Sequence, residues 1–347
     1  MRVRLRAAQH TGMTPPDLHL RPARFPADAA PAAELLSASN PDWPVTAELL
    51  QHEHDHRDPA LFFTERLAEQ GGRLLGVMGV GHDDFAHDEG RYWANLHVHP
   101  EARNQGVGSA LYAEFLKILQ ARDAKEARTM LTETDAPGIR FLTRRGWKET
   151  WRRHEFRLDT ARAELGSPPE LGGLRLEALD KLAGDPQLGA RLHELDWLLF
   201  QDVPMGMTLT RRPLDVWVQQ ELEEPSMRPG LSFVLIDDAV NDPLTGPYVG
   251  YTTLLQNPGG FYFIGMTGVR REYRGRGLAR ALKLASMRAV REAGGGEIGG
   301  GEIRTFNDPP NVAMIAMNRA LGFVKQPDRV RYELTLDSGA PRQDTEG

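Results

Sequence analysis

The 347-residue sequence contains no cysteine. That excludes disulfides and any cysteine nucleophile, though it does not identify a compartment. No run of about 18 apolar residues occurs, so no membrane-spanning helix is expected. The basic opening Met1-Arg2-Val3-Arg4-Leu5-Arg6 is not followed by the apolar core of a secretory signal, and cytoplasm is the expected location. There is no His-Glu-x-x-His. His52, His54 and His56 alternate beside Glu53 and Asp55, but no closing ligand pattern accompanies them, and no metal is expected. A net charge of −6 argues against nucleic acid as a partner. What is present is 40% apolar and 26% charged residues, enough for two globular domains of about 150–170 residues each.

One stretch organises the chain. Phe261–Met266 reads as a buried strand, apolar on both faces. Leu278, Ala281, Leu282, Ala285 and Ala289 are spaced for one apolar face of a helix. Between them lie Gly275 and Gly277 among Arg270, Arg271, Arg274, Arg276 and Arg280. A helix N-terminus has unpaired N–H groups and partial positive charge, so this turn is suited to a phosphate. The arginine cluster is sized for one polyphosphate.

The pattern occurs twice. Upstream, Arg103-Asn104-Gln105-Gly106-Val107-Gly108-Ser109 opens a helix with Val107, Ala110, Leu111, Phe115 and Ile118 on one face. Val98 precedes Arg103 by five residues, as Val269 precedes Arg274. Gly106 and Gly277 are 171 residues apart, the mark of a tandem duplication. Each copy later shows a short helix ending in Gly-aromatic, Gly146-Trp147 and Gly322-Phe323. The second copy is five residues longer between its glycines, and it carries Gly-Gly-Gly-Glu-Ile twice in succession from Gly294. This reads as a tandem insertion in a surface loop.

These two segments resemble the cofactor motif of the GNAT superfamily of N-acetyltransferases, Arg/Gln-x-x-Gly-x-Gly/Ala placed five residues after a strand. The resemblance covers nearly the whole chain and is similar to tandem members such as mycothiol synthase. It implies two GNAT domains of the α/β (α+β) class, each a mixed, mainly antiparallel sheet flanked by helices. It also implies acetyl-CoA or another acyl-CoA as co-substrate, with a direct transfer to a primary amine of a small molecule or protein. The cofactor-binding positions it implies are Val98, Arg103, Asn104, Gln105, Gly106, Val107, Gly108 and Ser109 in the first copy. In the second they are Val269, Arg274, Gly275, Arg276, Gly277, Leu278, Ala279 and Asn311. An alternative is that one or both copies only bind acyl-CoA, or act as scaffolds.

The order of elements places a flexible arm at 1–16, a first domain at 17–160, a linker at 161–173, a second domain at 174–337 and a disordered tail at 338–347. Strands 149–158 and 330–336 are expected to close the first and second domains respectively. The oligomeric state is left at monomer or homodimer.

Acyl transfer needs a base for the amine, a donor for the thioester oxygen and an exit for the thiolate. The strand-end amide of Val269 suits the second task. Many GNAT enzymes protonate the thiolate with a tyrosine four residues before the final glycine; here those positions hold Leu142 and Asn318. Asn307, Asn311 and Asn318 are peculiar to the second copy. Asn311 is equally suited to capping a helix. The catalytic candidates are Asn318, Asp196 and His97. His193, Glu194 and Asp202 are further polar residues of the second copy's substrate half.

Overall fold

The computed structural model describes residues 17–293 and 301–336. The 1–16 arm, the 338–347 tail and most of the repeated pentapeptide lie outside the described residues.

In chain order the elements are β1 (His19–Pro22), α1 (Ala29–Ser39), α2 (Ala47–Asp55), β2 (Phe63–Gln70), β3 (Arg73–Gly81) and β4 (Arg91–Val98). Then come α3 (Val107–Ala121), β5 (Glu126–Thr132), α4 (Ala136–Thr143) and β6 (Lys148–Asp159). The pattern restarts with β7 (Arg175–Ala178), α5 (Leu188–Phe200), α6 (Leu214–Glu221), β8 (Phe233–Ile236), β9 (Tyr248–Asn257) and β10 (Phe261–Val269). It ends with α7 (Leu278–Ala293), β11 (Glu302–Asn307), α8 (Val312–Ala320), β12 (Val324–Lys325) and β13 (Arg329–Thr335).

Two compact units form. One comprises residues 17–40, 59–151 and 329–336; the other comprises 41–58 and the described part of 152–328. Their sheets have the same plan. In the first the strand order is β1-β2-β3-β4-β5-β13, in the second β7-β8-β9-β10-β11-β6. Each has a single parallel neighbour pair, β4/β5 and β10/β11, and is otherwise antiparallel. Helix α3 packs on the first sheet through Val107, Leu111, Phe115 and Leu119, all buried at helical spacing. Helix α7 packs on the second through Leu278, Leu282, Leu284, Met287 and Val290. Each such fully buried side chain contributes about 1.5–3 kcal/mol of hydrophobic stabilisation.

The units are not the contiguous stretches 17–160 and 174–337. The strand expected to close the first domain, β6, pairs with β11 in the second unit, with Leu158 opposite Ile303. The strand expected to close the second, β13, pairs with β5 in the first, with Val330 opposite Leu131. Packing explains both placements. Phe156 and Leu158 are buried with Ile303, Leu284 and Met287. Val330, Tyr332 and Leu334 are buried with Leu111, Phe115 and Trp147. Without these strands β5 and β11 would each present an unpaired row of N–H and C=O groups.

Residues 41–58 also belong to the second unit. Trp43 stacks on Phe306 at 5.5 Å and meets Phe261 and Phe263 edge-on at 4.8 and 5.5 Å. Asp42 accepts from Arg157 at 2.5 Å and pairs with Arg304 at 3.2 Å. His52 Nε2 lies 2.8 Å from the Gln219 carbonyl, and Gln220 Nε2 donates to the His56 carbonyl at 3.2 Å. The alternating histidines therefore dock α2 beside α6 through backbone carbonyls.

Candidate active site

In both units the parallel pair parts. β4 and β5 are in register only at Arg91–Trp93 against Glu126–Arg128, and β10 and β11 only at Phe261–Phe263 against Glu302–Arg304. Beyond those residues the two strands no longer pair, and the space between their ends is the candidate cleft. At the mouth of each cleft, strand gives way to turn and helix with the same geometry. Arg103 Nε donates to the Val98 carbonyl at 3.3 Å, and Arg274 Nε to the Val269 carbonyl at 3.0 Å. This bond accounts for the five-residue spacing. The first and third residues after each arginine take left-handed backbone: Asn104 and Gly106 have φ of 60° and 89°, and Gly275 and Gly277 have 76° and 77°. Those left-handed steps curl the turn so that its amides converge. Among the described residues, the amides of Asn104, Gln105 and Gly106, and those of Gly275, Arg276 and Gly277, donate to no backbone carbonyl. The first amides of α3 and α7 join them, as helix starts require.

The strand ends also agree. The Arg270 amide donates to the Val249 carbonyl of β9 at 2.8 Å, and the His99 amide to the Leu75 carbonyl of β3 at 2.9 Å. Alternate residues of a strand address opposite neighbours, so the amides of Val269 and Val98 face the clefts.

The arginine cluster is occupied by the protein itself. Arg271 Nε donates to both Asp202 oxygens at 3.1 and 3.0 Å, and Arg274 Nη2 donates to Asp202 at 2.5 Å. Hydrogen bonding from Arg271 leads in holding the Asp202 carboxyl down at about 2. Arg270 is shared between Glu272, Thr245 and Asp242. The segment expected as a linker, 161–173, runs along α7. Arg276 Nη2 reaches the Leu171 carbonyl at 3.4 Å, Arg280 the Ser167 carbonyl at 3.2 Å, and Arg288 the Gly166 carbonyl at 2.8 Å. A Cβ on Gly277 would lie 3.2 Å from Pro169.

Of the three catalytic candidates, His97 belongs to the first unit and Asp196 and Asn318 to the second. His97, on β4 beside Val98, has Nδ1 2.9 Å from Ser39 Oγ, and burial pushes its pKa down to about 4, leaving a neutral imidazole. Asp196, on α5, accepts from Trp217 Nε1 at 2.9 Å and from Tyr251 Oη at 2.5 Å, and burial pushes its carboxyl up. Both oxygens thus hold core donors on the α5/α6 face. Asn318, on α8, is on the opposite face beneath α7 and is fully buried. His193 is likewise spent structurally, its Nε2 2.9 Å from the Arg212 carbonyl. Asn311 caps α8, its side chain accepting from the Met314 amide at 3.3 Å. Among the described residues no group of three or more His, Asp or Glu side chains is placed to hold a metal, and no helix is long and apolar enough to cross a membrane.

Sequence reasoning passed over Lys283. It sits in the buried arc of α7, 1% exposed. Its Nζ donates to Asn318 Oδ1 at 2.8 Å, and Asn318 Nδ2 donates to Asn307 Oδ1 at 2.6 Å. Burial pushes the lysine pKa down to about 7. The available signal was the repeat itself. Counted from the paired glycines, the first copy holds Tyr112, Leu131 and Leu142 where the second holds Lys283, Asn307 and Asn318. A second asymmetry is a β-bulge. β10 slips one residue against β9 between Ile264 and Thr267, whereas β4 runs against β3 without a shift. Bulges are common where a strand must re-aim groups beside an active site.

A model of the acetyltransferase (GNAT) family matches the chain twice, over residues 30–147 and 191–323. Among solved structures, a tandem GNAT protein from the clavulanic acid biosynthesis pathway, without AcCoA, is similar with a TM-score of 0.71 and 20% identity over 93% of this chain and 99% of that one. A GCN5-related N-acetyltransferase from Sphaerobacter thermophilus is similar with a TM-score of 0.60 and 18% identity, over 92% and 96% of the two chains. A search of curated proteins gave no match. The structural likenesses bear on fold. The family matches, which together span most of the chain, show that it belongs to the GNAT family, with two GNAT domains, and that it is an N-acetyltransferase.

Proposed function

We propose that the second unit of this GNAT enzyme takes acetyl-CoA in the β10/β11 cleft and passes its acetyl group directly to a primary amine of a small molecule, in a ternary complex. The observation that carries this reading is the turn of unpartnered amides at the mouth of a parted parallel strand pair. The amides of Gly275 to Ala279 would hold the pyrophosphate. The pantetheine arm would lie along the open edge of β10 as an added strand. The Val269 N–H would receive the thioester oxygen as charge builds on it. The neutral amine nitrogen adds to the carbonyl carbon and loses a proton to solvent. The carbon–sulfur bond then breaks, with its electron pair staying on sulfur. Asn318, of the three catalytic candidates, is the one hydrogen-bonded to Asn307 at the end of β11. His97 and Asp196 keep the core bonds described above and take no step in this reading. The first unit, with the same turn and Val98 amide but neither the bulge nor the asparagines, would bind acyl-CoA without turning it over. The cytoplasm, where acetyl-CoA is made and used, is the location that goes with this role.

The experiment is a calorimetric titration of the full chain with acetyl-CoA, repeated with Gly106→Glu and with Gly277→Glu. Each change puts a carboxylate into one amide turn. Two sites in the wild type falling to one in each variant is the expected result. A wild type that binds no acetyl-CoA refutes the proposal. Turnover is read by a thiol reagent, since a protein without cysteine adds no background.

A further inference from the structure

A buried lysine with no carboxylate beside it needs a reason to persist. Among the described residues Lys283 makes no ion pair; its polar contact is Asn318 Oδ1, and its Nζ lies 5.4 Å from the centre of the Phe323 ring. The lysine nitrogen has N–H groups to donate whether it is charged or neutral, whereas a side-chain amide has one accepting and one donating end. Its bond to the Asn318 oxygen therefore sets the direction of everything beyond it. Asn318 must turn its oxygen to Lys283 and its nitrogen to Asn307. Asn307 must in turn present its oxygen to Asn318, which leaves its own Nδ2 pointing onward. Asn307 ends β11, past the point where that strand has parted from β10, and among the described residues its Nδ2 has no acceptor. All three side chains are buried, at 1%, 0% and 7% exposure, and bonds of this kind polarise one another in a low-dielectric setting.

We propose that Lys283 is a positioning residue for acyl transfer, orienting the Asn318 and Asn307 amides head to tail so that an N–H donor meets the sulfur of the thioester as it leaves. This rests on the cofactor reading above. The thioester oxygen is assigned to the β10 wall of the cleft through Val269, so its sulfur faces the β11 wall, where the chain of amides ends. The electron pair from the broken carbon–sulfur bond stays on sulfur. The donor stabilises that thiolate without giving up its proton, and the thiol is completed from solvent. The first unit shows the contrast, with a tyrosine and two leucines at the matching positions.

The test needs no acceptor. Free coenzyme A is bound to the full chain, and ionisation of its thiol is followed by ultraviolet thiolate absorbance against pH. With the wild type, the thiol in the second unit is expected to ionise about one pH unit below that of free coenzyme A. The fraction held by the first unit serves as an unshifted internal control. Lys283→Met, which keeps length and apolarity, and Asn318→Leu, which breaks the chain one link later, should each return the shifted fraction to the value of free coenzyme A. A bound thiol with the same ionisation in all three proteins overturns this inference alone. A wild type that binds no coenzyme A overturns the cofactor reading with it. Any change in folding is read separately, because a merely structural lysine would alter stability without moving the thiol.

Discussion

Replacing Lys283 by Met should change how the stability of the second unit depends on pH. The folded-state pKa of this lysine is about 7, against 10.5 for the free side chain. Between those values the unfolded chain carries a proton at this site that the folded chain lacks, so stability rises with pH. The slope approaches about 1.4 kcal/mol per pH unit above pH 7, which amounts to about 2 kcal/mol from pH 7 to pH 9. Met carries no proton and has no such slope. At pH 7 the variant loses the donor to the buried Asn318 oxygen, a cost of about 1–3 kcal/mol, but it also removes a charge held out of water. The variant is therefore expected to be the more stable at pH 7, by about 2 kcal/mol, and to approach parity near pH 9. For a unit of this size that corresponds to about 4–8 °C in Tm at pH 7. Scanning calorimetry of both proteins at pH 7, 8 and 9 reads this directly. Curves of Tm against pH that run parallel would refute the argument, since they would mean that Lys283 keeps its proton equally in both states.

Three further outcomes are expected. Deleting residues 329–347 should unfold or aggregate the first unit, because β5 loses its neighbour and Val330, Tyr332 and Leu334 leave the core; a soluble first unit with unchanged thermal transition would contradict the strand assignment. Asp202→Asn should cost about 0.5–1 kcal/mol at pH 7, given partners that are largely in water, read as a lower urea midpoint. The Asp202 carboxyl is held at about 2, so its contribution is present above pH 4 and is lost as pH falls towards 2; a cost that persists at pH 2 is the refuting result. Trp43→Ala should destabilise the second unit by about 2 kcal/mol through the lost stack on Phe306 and the edges of Phe261 and Phe263, and a change confined to the first unit's transition would count against the grouping of residues 41–58.

The turns were legible because their causes are local. Two left-handed steps, an arginine reaching back five residues and a helix start all leave marks within a dozen positions, and the duplication shows them twice. The placement of β6 and β13 was not legible. Alternation in Phe156 and Leu158, or in Val330, Tyr332 and Leu334, says which face of a sheet is buried but not which neighbour the strand adopts. Asp202 illustrates a second limit. The arginines around Gly275 read as a site for an outside anion, and nothing in their spacing reveals a carboxylate supplied 69 residues before Arg271. Lys283 was hidden because a lysine on an apolar helix ordinarily carries its charge out to water along its own stem. Here α7 is covered over too wide an arc for that, and the charge meets an asparagine instead. Asp196 shows the converse limit: nothing near it in the chain reveals that its carboxylate accepts from Trp217 and Tyr251.

The strand that completes the first unit has implications for synthesis. Leu131 waits for Val330, about 200 residues later in the chain, and the closure entropy of so long a loop must be met before that pairing returns anything. During translation at roughly 5–20 residues per second, the first sheet stands with an open edge for ten seconds or more after β5 has emerged. Chains of such high contact order fold slowly, and neither unit can be finished by a ribosome that stops between them. The first site therefore matures only after the strands of the second unit have been made, and a nonsense mutation just before codon 329 removes the strand that closes the first unit.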